Sequence, residues 1–263
     1  MARDAAALIA RIYEHPFDVD YKAKNDPVTT ADREANTLIC AALAARFPCM
    51  PIVAEESDPA SYAGYHLAEA AWFVDPLDGT RDFVKKNGEF AVMIGLAEGG
   101  RATLGVIVLP VGGHAYVGGD GVDGVVIEAS GTRKPLRVSE VSALSQAELV
   151  VSRSRRQGSL DEAAARLGVR KMTSCGSAGL KGVRVAAGEA DAYAQPSPAG
   201  KLWDACAPEA IVVAAGGRVS DAHGTPFDYR GTELELARGF LATNPALYPR
   251  MLELLREAET KKP

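Results

Sequence analysis

The stretch from Trp72 to Val84, WFVDPLDGTRDFV, sets Asp75 and Asp78 three residues apart across a proline and just ahead of a glycine. Pro76 fixes its own backbone angle, and Gly79 admits a conformation most residues avoid. A chain turned that sharply lets both carboxylates, with the Leu77 carbonyl between them, face one point. Three hard oxygen donors on a rigid corner suit Mg²⁺. The following TRDFVKK reads as a short helix, and free N–H groups near Gly79 and Thr80 would form an anion site beside the metal. Pro-X-Asp-Gly is equally the composition of a plain turn. The corner alone leaves both readings open.

Other acids bear on the choice. IVAEES ends a β-like run in Glu55-Glu56, which reads either as a ligand pair or as solvated charge at a strand end. KLWDACAPEAIVVAAGG opens an apolar helix with Asp204, a position where aspartate often serves only as a cap. NDPVTTAD puts Asp26 and Asp32 around another helix start, again explicable by capping. The four cysteines, Cys40, Cys49, Cys175 and Cys206, form no CxxC pair, and their scatter reads as reduced thiols in a cytoplasmic protein. His15, His66, His114 and His223 show no ligand spacing, so no zinc site is expected. A net charge of -5 argues against a nucleic-acid-binding surface, because phosphate backbones are held by concentrated Lys and Arg. An acidic protein can still act on a phosphate ester if bound cations supply the missing charge.

These residues need elements to hold them. Residues 4–13 and 31–46 read as helices, the second from Ala35, Leu38, Ile39, Ala42 and Leu43 at helical spacing. Thr30 is placed to cap it, with Asp32 and Glu34 in the first turn, where the helix dipole favours negative charge. AWFVD reads as a short buried strand ending at Asp75. FAVMIGLA and ATLGVIVLP read as strands joined by a hairpin at Glu98-Gly99-Gly100-Arg101, and a further pair of short strands flanks VGGDGVDG. From about residue 148 the pattern alternates. Strand ELVVS precedes helix 159–167, a strand near 170–173, helix 177–187, strand DAYAQ, helix 204–215 and strand RVSD. That alternation predicts α/β layering. The basic, proline-containing 131–140 is the expected boundary, and the tail TKKP is expected to fray. At 47% hydrophobic and 24% charged, the 263 residues have an ordinary globular composition. No run approaches the roughly 20 apolar residues of a membrane helix.

Four acidic blocks stand in order: DPVTTAD (26–32), VAEES (53–57), DPLDGT (75–80) and WDACAPEAIVVAAGG (203–217). Together, over most of the chain, they resemble the lithium-sensitive, magnesium-dependent phosphatases: inositol monophosphatase, fructose-1,6-bisphosphatase and the bisphosphate nucleotidases. DFVKKNGEFAVMIGL (82–96), GSAGLK (176–181) and SPAGKLWDACAPEAI (197–211) are similar to the 3′(2′),5′-bisphosphate nucleotidase branch. The resemblance implies an α/β fold, a layered αβαβα sandwich with an α+β N-terminal, metal-binding part (1–135) and a C-terminal α/β substrate-specificity part (136–263). It implies two or three Mg²⁺ held by Glu55, Asp75, the Leu77 carbonyl, Asp78 and Asp204, with Asp32, Thr80 and Glu55 as the catalytic set. Asp32 and Thr80 would be the pair that activates water.

Substrate contacts carried over by position are Gly79, Thr80, Ser152, Arg155, Ser177, Lys181 and Asp204. The implied reaction removes the 3′-phosphate of adenosine 3′,5′-bisphosphate to give AMP and phosphate; inositol phosphate or sugar phosphate hydrolysis is the alternative. Lithium inhibition, a place in sulfur metabolism and a monomer or homodimer come with the resemblance. Two departures bear on the pocket. Arg155 stands where many relatives carry histidine, and AQPSPAG follows Tyr193 where bacterial nucleotidases often carry an arginine. Arg155 still supplies a cation suited to a second phosphate, although SRSRR also reads as a solvated basic cluster and Lys181 as a surface lysine.

Overall fold

The computed structural model describes residues 1–155, 157–196 and 198–259. A short antiparallel hairpin, β1 (Val19–Ala23) and β2 (Asp26–Thr29), leads into a seven-stranded sheet. Its strands lie side by side in chain order: β3 (Ile52–Ala54), β4 (Ala70–Asp78), β5 (Ala91–Glu98), β6 (Arg101–Val108), β7 (Ala115–Gly119), β8 (Val122–Ile127) and β9 (Arg133–Pro135). Only β3 and β4 pair in parallel; each later neighbour is antiparallel. The five-stranded second sheet runs β11-β10-β12-β14-β13, formed by β10 (Glu148–Ser152), β11 (Lys171–Cys175), β12 (Ala192–Gln195), β13 (Arg218–Ser220) and β14 (Phe240–Thr243). Part of the expected boundary, 131–140, is therefore the last strand of the first sheet.

Helices α1 (Ala2–Glu14) and α2 (Thr30–Arg46) cover the outer face of the large sheet, and the single-turn α3 (Thr80–Val84) follows β4. Beyond β10 come α4 (Gly158–Arg166), α5 (Ala178–Ala186), α6 (Leu202–Ala214) and α7 (Tyr248–Glu259). Period-two alternation sorts the strand side chains into layers. On β5, Val92 and Ile94 pack with Ile9, Ala35 and Ile39 of the outer helices, whereas Ala91 and Met93 point inward. On β10, Val150 joins that inner core and Leu149 and Val151 face α4 and α7. Each such aliphatic side chain contributes about 1.5–3 kcal/mol on burial. The layers are thus α1/α2, large sheet, α5/α6, small sheet, α4/α7, the expected αβαβα sandwich.

The central helix α6 lies against β5, β6 and β7. Gly105 on β6 makes room for it, because a Cβ there would fall 2.3 Å from the Ala207 carbonyl oxygen. Two local expectations change. The α2 cap is Thr29, not Thr30, because Thr29 is the extended residue whose hydroxyl accepts from the backbone N–H of Ala31. Strand β4 does not stop at Asp75; pairing with β5 resumes at Asp78 opposite Ala91 across an irregularity, as Pro76 lacks a donor. Two elements unread in the sequence, β14 and α7, complete the small sheet and its outer layer. The tail TKKP lies outside the described residues.

Candidate active site

Strand β4 and helix α6 bring Asp75, Asp78 and Asp204 together, each offering a carboxylate oxygen within 4.8 Å of the others. Every one of the three is held by donors. The Asp75 Oδ1 accepts the Leu77 N–H at 3.0 Å, the tight turn that Pro76 permits. The Asp78 Oδ2 accepts the Gly179 N–H at 2.7 Å and the Ser177 hydroxyl, so it sits on the N-terminus of α5, where the helix dipole favours an anion. The Asp204 Oδ2 accepts the Lys201 N–H at 2.6 Å, so Asp204 is the third residue of α6, reaching back to the backbone of the capping position rather than occupying it. Gly79, at φ 99°, turns the chain out of β4 into α3; a Cβ there would lie 2.7 Å from the Glu89 carbonyl oxygen.

Behind this cluster, the Thr80 hydroxyl lies 2.9 Å from Asp32 Oδ1 and 3.2 Å from the Leu77 carbonyl. The other Asp32 oxygen accepts both the N–H and the hydroxyl of Thr29, at 2.7 and 2.6 Å. Burial lifts the Asp32 carboxyl above its ordinary range, against the hydrogen bonds from Thr29 and Thr80. A hydroxyl that donates to a carboxylate keeps its lone pairs for an incoming O–H. Such a pair can take a proton from a water and pass it inward.

Glu55, Asp75, Leu77, Asp78, Gly79, Thr80, Ser152, Arg155, Lys181 and Asp204 all line one cavity of about 110 Å³. Glu55 stands apart from the three aspartates: its Oε1 accepts the Lys22 ammonium at 3.0 Å, and Glu56 takes the same ammonium at 2.7 Å. Ser177 does not line the cavity; it is fully buried, and its hydroxyl is committed to Asp78. Lys181 is a buried residue, not a surface lysine. Its ammonium donates to the carbonyls of Gly176 and Ser177 at 2.9 and 2.7 Å and lies 4.8 Å from the Tyr193 ring centre. Burial pushes that ammonium below its ordinary range, opposed by Asp78. Within SRSRR, Ser152 accepts the Arg155 N–H at 3.1 Å, Arg155 donates to the Ala199 carbonyl, and Arg153 pairs with Asp82 and Glu89. Arg156 lies outside the described residues. Lys22, Asp82, Glu89 and Arg153 escaped the sequence reading. Asp82 and Glu89 lie within the resembling block DFVKKNGEFAVMIGL and Arg153 within SRSRR, but nothing in either stretch marks their pairing, and Lys22 lies in no resembling block.

The donor set fits a divalent cation. Burial, then repulsion from the neighbouring acids, drives the Asp75 and Asp204 carboxyls upward. Anionic oxygens crowded in this way are relieved by a small, hard, doubly charged ion.

The profile of the inositol monophosphatase family matches residues 1–260. The chain belongs to that family. Among relatives of this inositol monophosphatase family member, the Escherichia coli K12 protein named 3′(2′),5′-bisphosphate nucleotidase CysQ is 38% identical over 242 residues, covering 91% of this chain and 95% of the relative. Inositol monophosphatase 3 of Solanum lycopersicum is 31% identical over 97% of this chain and 94% of its own length. Among solved structures, the extragenic suppressor protein suhB of Bartonella henselae superimposes with a TM-score of 0.82 at 25% identity, over 99% of this chain and 96% of that one. The family's layered fold is thus the fold of this chain. No helix among the described residues is long and apolar enough to cross a membrane.

Proposed function

We propose that the protein is a Mg²⁺-dependent 3′(2′),5′-bisphosphate nucleotidase that converts adenosine 3′,5′-bisphosphate to AMP and phosphate. One observation carries the choice of substrate. A second cavity of about 300 Å³ adjoins the acidic one and shares Asp26, Glu55, Arg155 and Asp204 with it; beyond them it adds the cations Lys22 and Lys201, the Trp203 ring and one acid, Glu235. A monophosphate of a neutral polyol has no use for cations beyond the scissile group, whereas a nucleoside bisphosphate carries a second phosphate that needs them. The 38% identity to the Escherichia coli nucleotidase supports the same reading.

In the proposed reaction Asp75, Asp78, Asp204, the Leu77 carbonyl and Glu55 would hold two or three Mg²⁺, Glu55 being the one of these that Lys22 already engages. Bound Mg²⁺ offsets the repulsion between phosphate and acids and makes water more acidic. Thr80 accepts a proton from the attacking water while donating its own to Asp32; the water oxygen bonds phosphorus as the bond to the 3′-oxygen breaks, and that oxygen takes a proton from solvent to leave as the hydroxyl of AMP. The N–H groups at Gly79 and Thr80 hold the phosphate in line. Arg155 and Lys181, which line the same cavity, supply positive charge. Residues 1–135 contribute most of the metal ligands, and 136–263 select the substrate. Hydrolysis of adenosine 3′,5′-bisphosphate, inositol 1-phosphate and fructose 1,6-bisphosphate, compared on one preparation by phosphate release, tests this. The nucleotide is expected to give the highest kcat/KM, and activity is expected to vanish with chelator; equal or faster turnover of inositol 1-phosphate rejects the assignment.

A further inference from the structure

The stretches DFVKKNGEF and SRSRR meet each other in space. Arg153, next after the end of β10, points one guanidinium nitrogen at Asp82 Oδ1 (2.5 Å) and Glu89 Oε2 (2.6 Å). Its other terminal nitrogen donates to the Ser174 carbonyl at 3.3 Å, and its own N–H to that of Cys175 at 3.0 Å. One cation from the small sheet thus clamps two acids that follow the metal corner of the large sheet. Neither Arg153 nor Glu89 lines the acidic cavity or the second cavity beside it.

What the clamp touches next gives it a consequence. The same Glu89 oxygen accepts the Gly176 N–H at 2.8 Å, while Lys181 binds the Gly176 carbonyl from the other side. Gly176 is packed directly on Asp82, since a Cβ there would fall 2.2 Å from Asp82 Oδ2. Gly176 immediately precedes Ser177, whose hydroxyl, with the Gly179 N–H, holds Asp78 Oδ2. The path from Arg153 through Asp82 and Glu89 to Gly176, Ser177 and Asp78 is continuous in hydrogen bonds and contacts. It crosses between the two sheets.

We infer that Arg153, acting through Asp82 and Glu89, is a positioning residue that sets the Gly176–Gly179 turn on Asp78 and so aims the Asp78 carboxylate at its cation. The inference rests on the divalent-cation reading of the acidic site, and it does not depend on which phosphate ester is hydrolysed. Groups that orient a metal ligand from behind alter affinity about 10–100-fold when removed. A pair serving stability alone would lower the unfolding temperature and leave the affinity of the folded protein unchanged.

The test is calorimetric titration of the full chain with MgCl₂ alone, beside thermal unfolding, for Arg153→Ala, Arg153→Lys and Glu89→Ala. Arg153→Ala is expected to weaken Mg²⁺ binding about tenfold or more while remaining folded at the titration temperature. Arg153→Lys, which keeps a cation within reach of one acid, is expected to recover part of that loss. Glu89→Ala, which removes the Gly176 acceptor directly, is expected to match Arg153→Ala, and it carries the test should Arg153→Ala fail to fold. At saturating Mg²⁺ the KM for substrate is expected to stay near wild type. A folded Arg153→Ala or Glu89→Ala protein binding Mg²⁺ within twofold of wild type overturns the inference. Because calorimetry reads binding without turnover, a tenfold loss supports it even if the nucleotidase assignment fails.

Discussion

Thr80 is the residue on which the proposed chemistry turns, because its hydroxyl links the cavity to a carboxylate that burial has made a better proton acceptor. Thr80→Ala is expected to lower kcat by about 10²–10⁴ with little change in KM, the usual range for a lost general base. Thr80→Ser is expected to keep most of the activity, since it retains the oxygen that reaches Asp32. Steady-state kinetics at saturating Mg²⁺ would check this, and an alanine variant within threefold of wild type would remove the Asp32–Thr80 pair from the mechanism. Asp32, Asp75, Asp78, Thr80 and Asp204 were nameable in the sequence because the ordered blocks that hold them resemble one family; their local signals alone, a tight turn and helix caps, left a plain structural reading open. Lys22 and Arg153 were not, because what they do depends on partners 33 and 71 residues away. Nothing in their own neighbourhoods encodes that distance.

Helix α6 illustrates how an element that positions one acid constrains another. Asp204 at its start faces the cavity, and Glu209 further along is half-buried, with its carboxylate taking the Tyr229 hydroxyl at 2.6 Å. Burial pushes the Glu209 carboxyl from 4.5 to about 7, against the Tyr229 hydrogen bond and the more distant charge of Arg101. The folded state therefore binds more protons than the unfolded state between those values. Stability is expected to fall as pH rises from about 4.5 towards 7 and to level off above it. Glu209→Gln keeps an acceptor for Tyr229 and removes the charge, so it is expected to raise the melting temperature at pH 8 and flatten the slope below 7. Thermal unfolding across that range checks it; a glutamine variant with the wild-type slope would assign the pH dependence elsewhere. The helix itself was readable from its apolar run, although it begins at Leu202 rather than Asp204. Strand β14 was missed because Phe240–Thr243 has four residues and no alternation, all buried. Helix α7 was passed over although Met251, Leu254, Leu255 and Ala258 keep helical spacing, with Pro249 tolerated in the first turn.

At the scale of the whole molecule, the acids that define the site come from both halves of the chain and are pressed together by the folding of the layers around α5 and α6. Ionised Asp75 is buried and faces repulsion from Glu55, Asp78 and Asp204, so the metal-free fold carries an electrostatic penalty that the unfolded chain lacks. A cation bound only by the folded state removes that penalty and adds its own binding free energy, about 2.7 kcal/mol at a concentration a hundred times Kd. Mg²⁺ is therefore expected to raise the melting temperature, and chelation to lower it. Asp75→Asn separates the two contributions. With the charge gone the repulsion falls, so the metal-free variant is expected to melt higher than the metal-free wild type at neutral pH, while the gain on adding Mg²⁺ shrinks or disappears and hydrolysis is lost. Scans of both proteins with chelator and with excess MgCl₂ read all of these outcomes except turnover. A variant that melts lower than wild type without metal would mean that the Asp75–Leu77 turn, rather than relief of charge, dominates the energetics of the corner. One that keeps the full Mg²⁺ gain would place the cation away from Asp75.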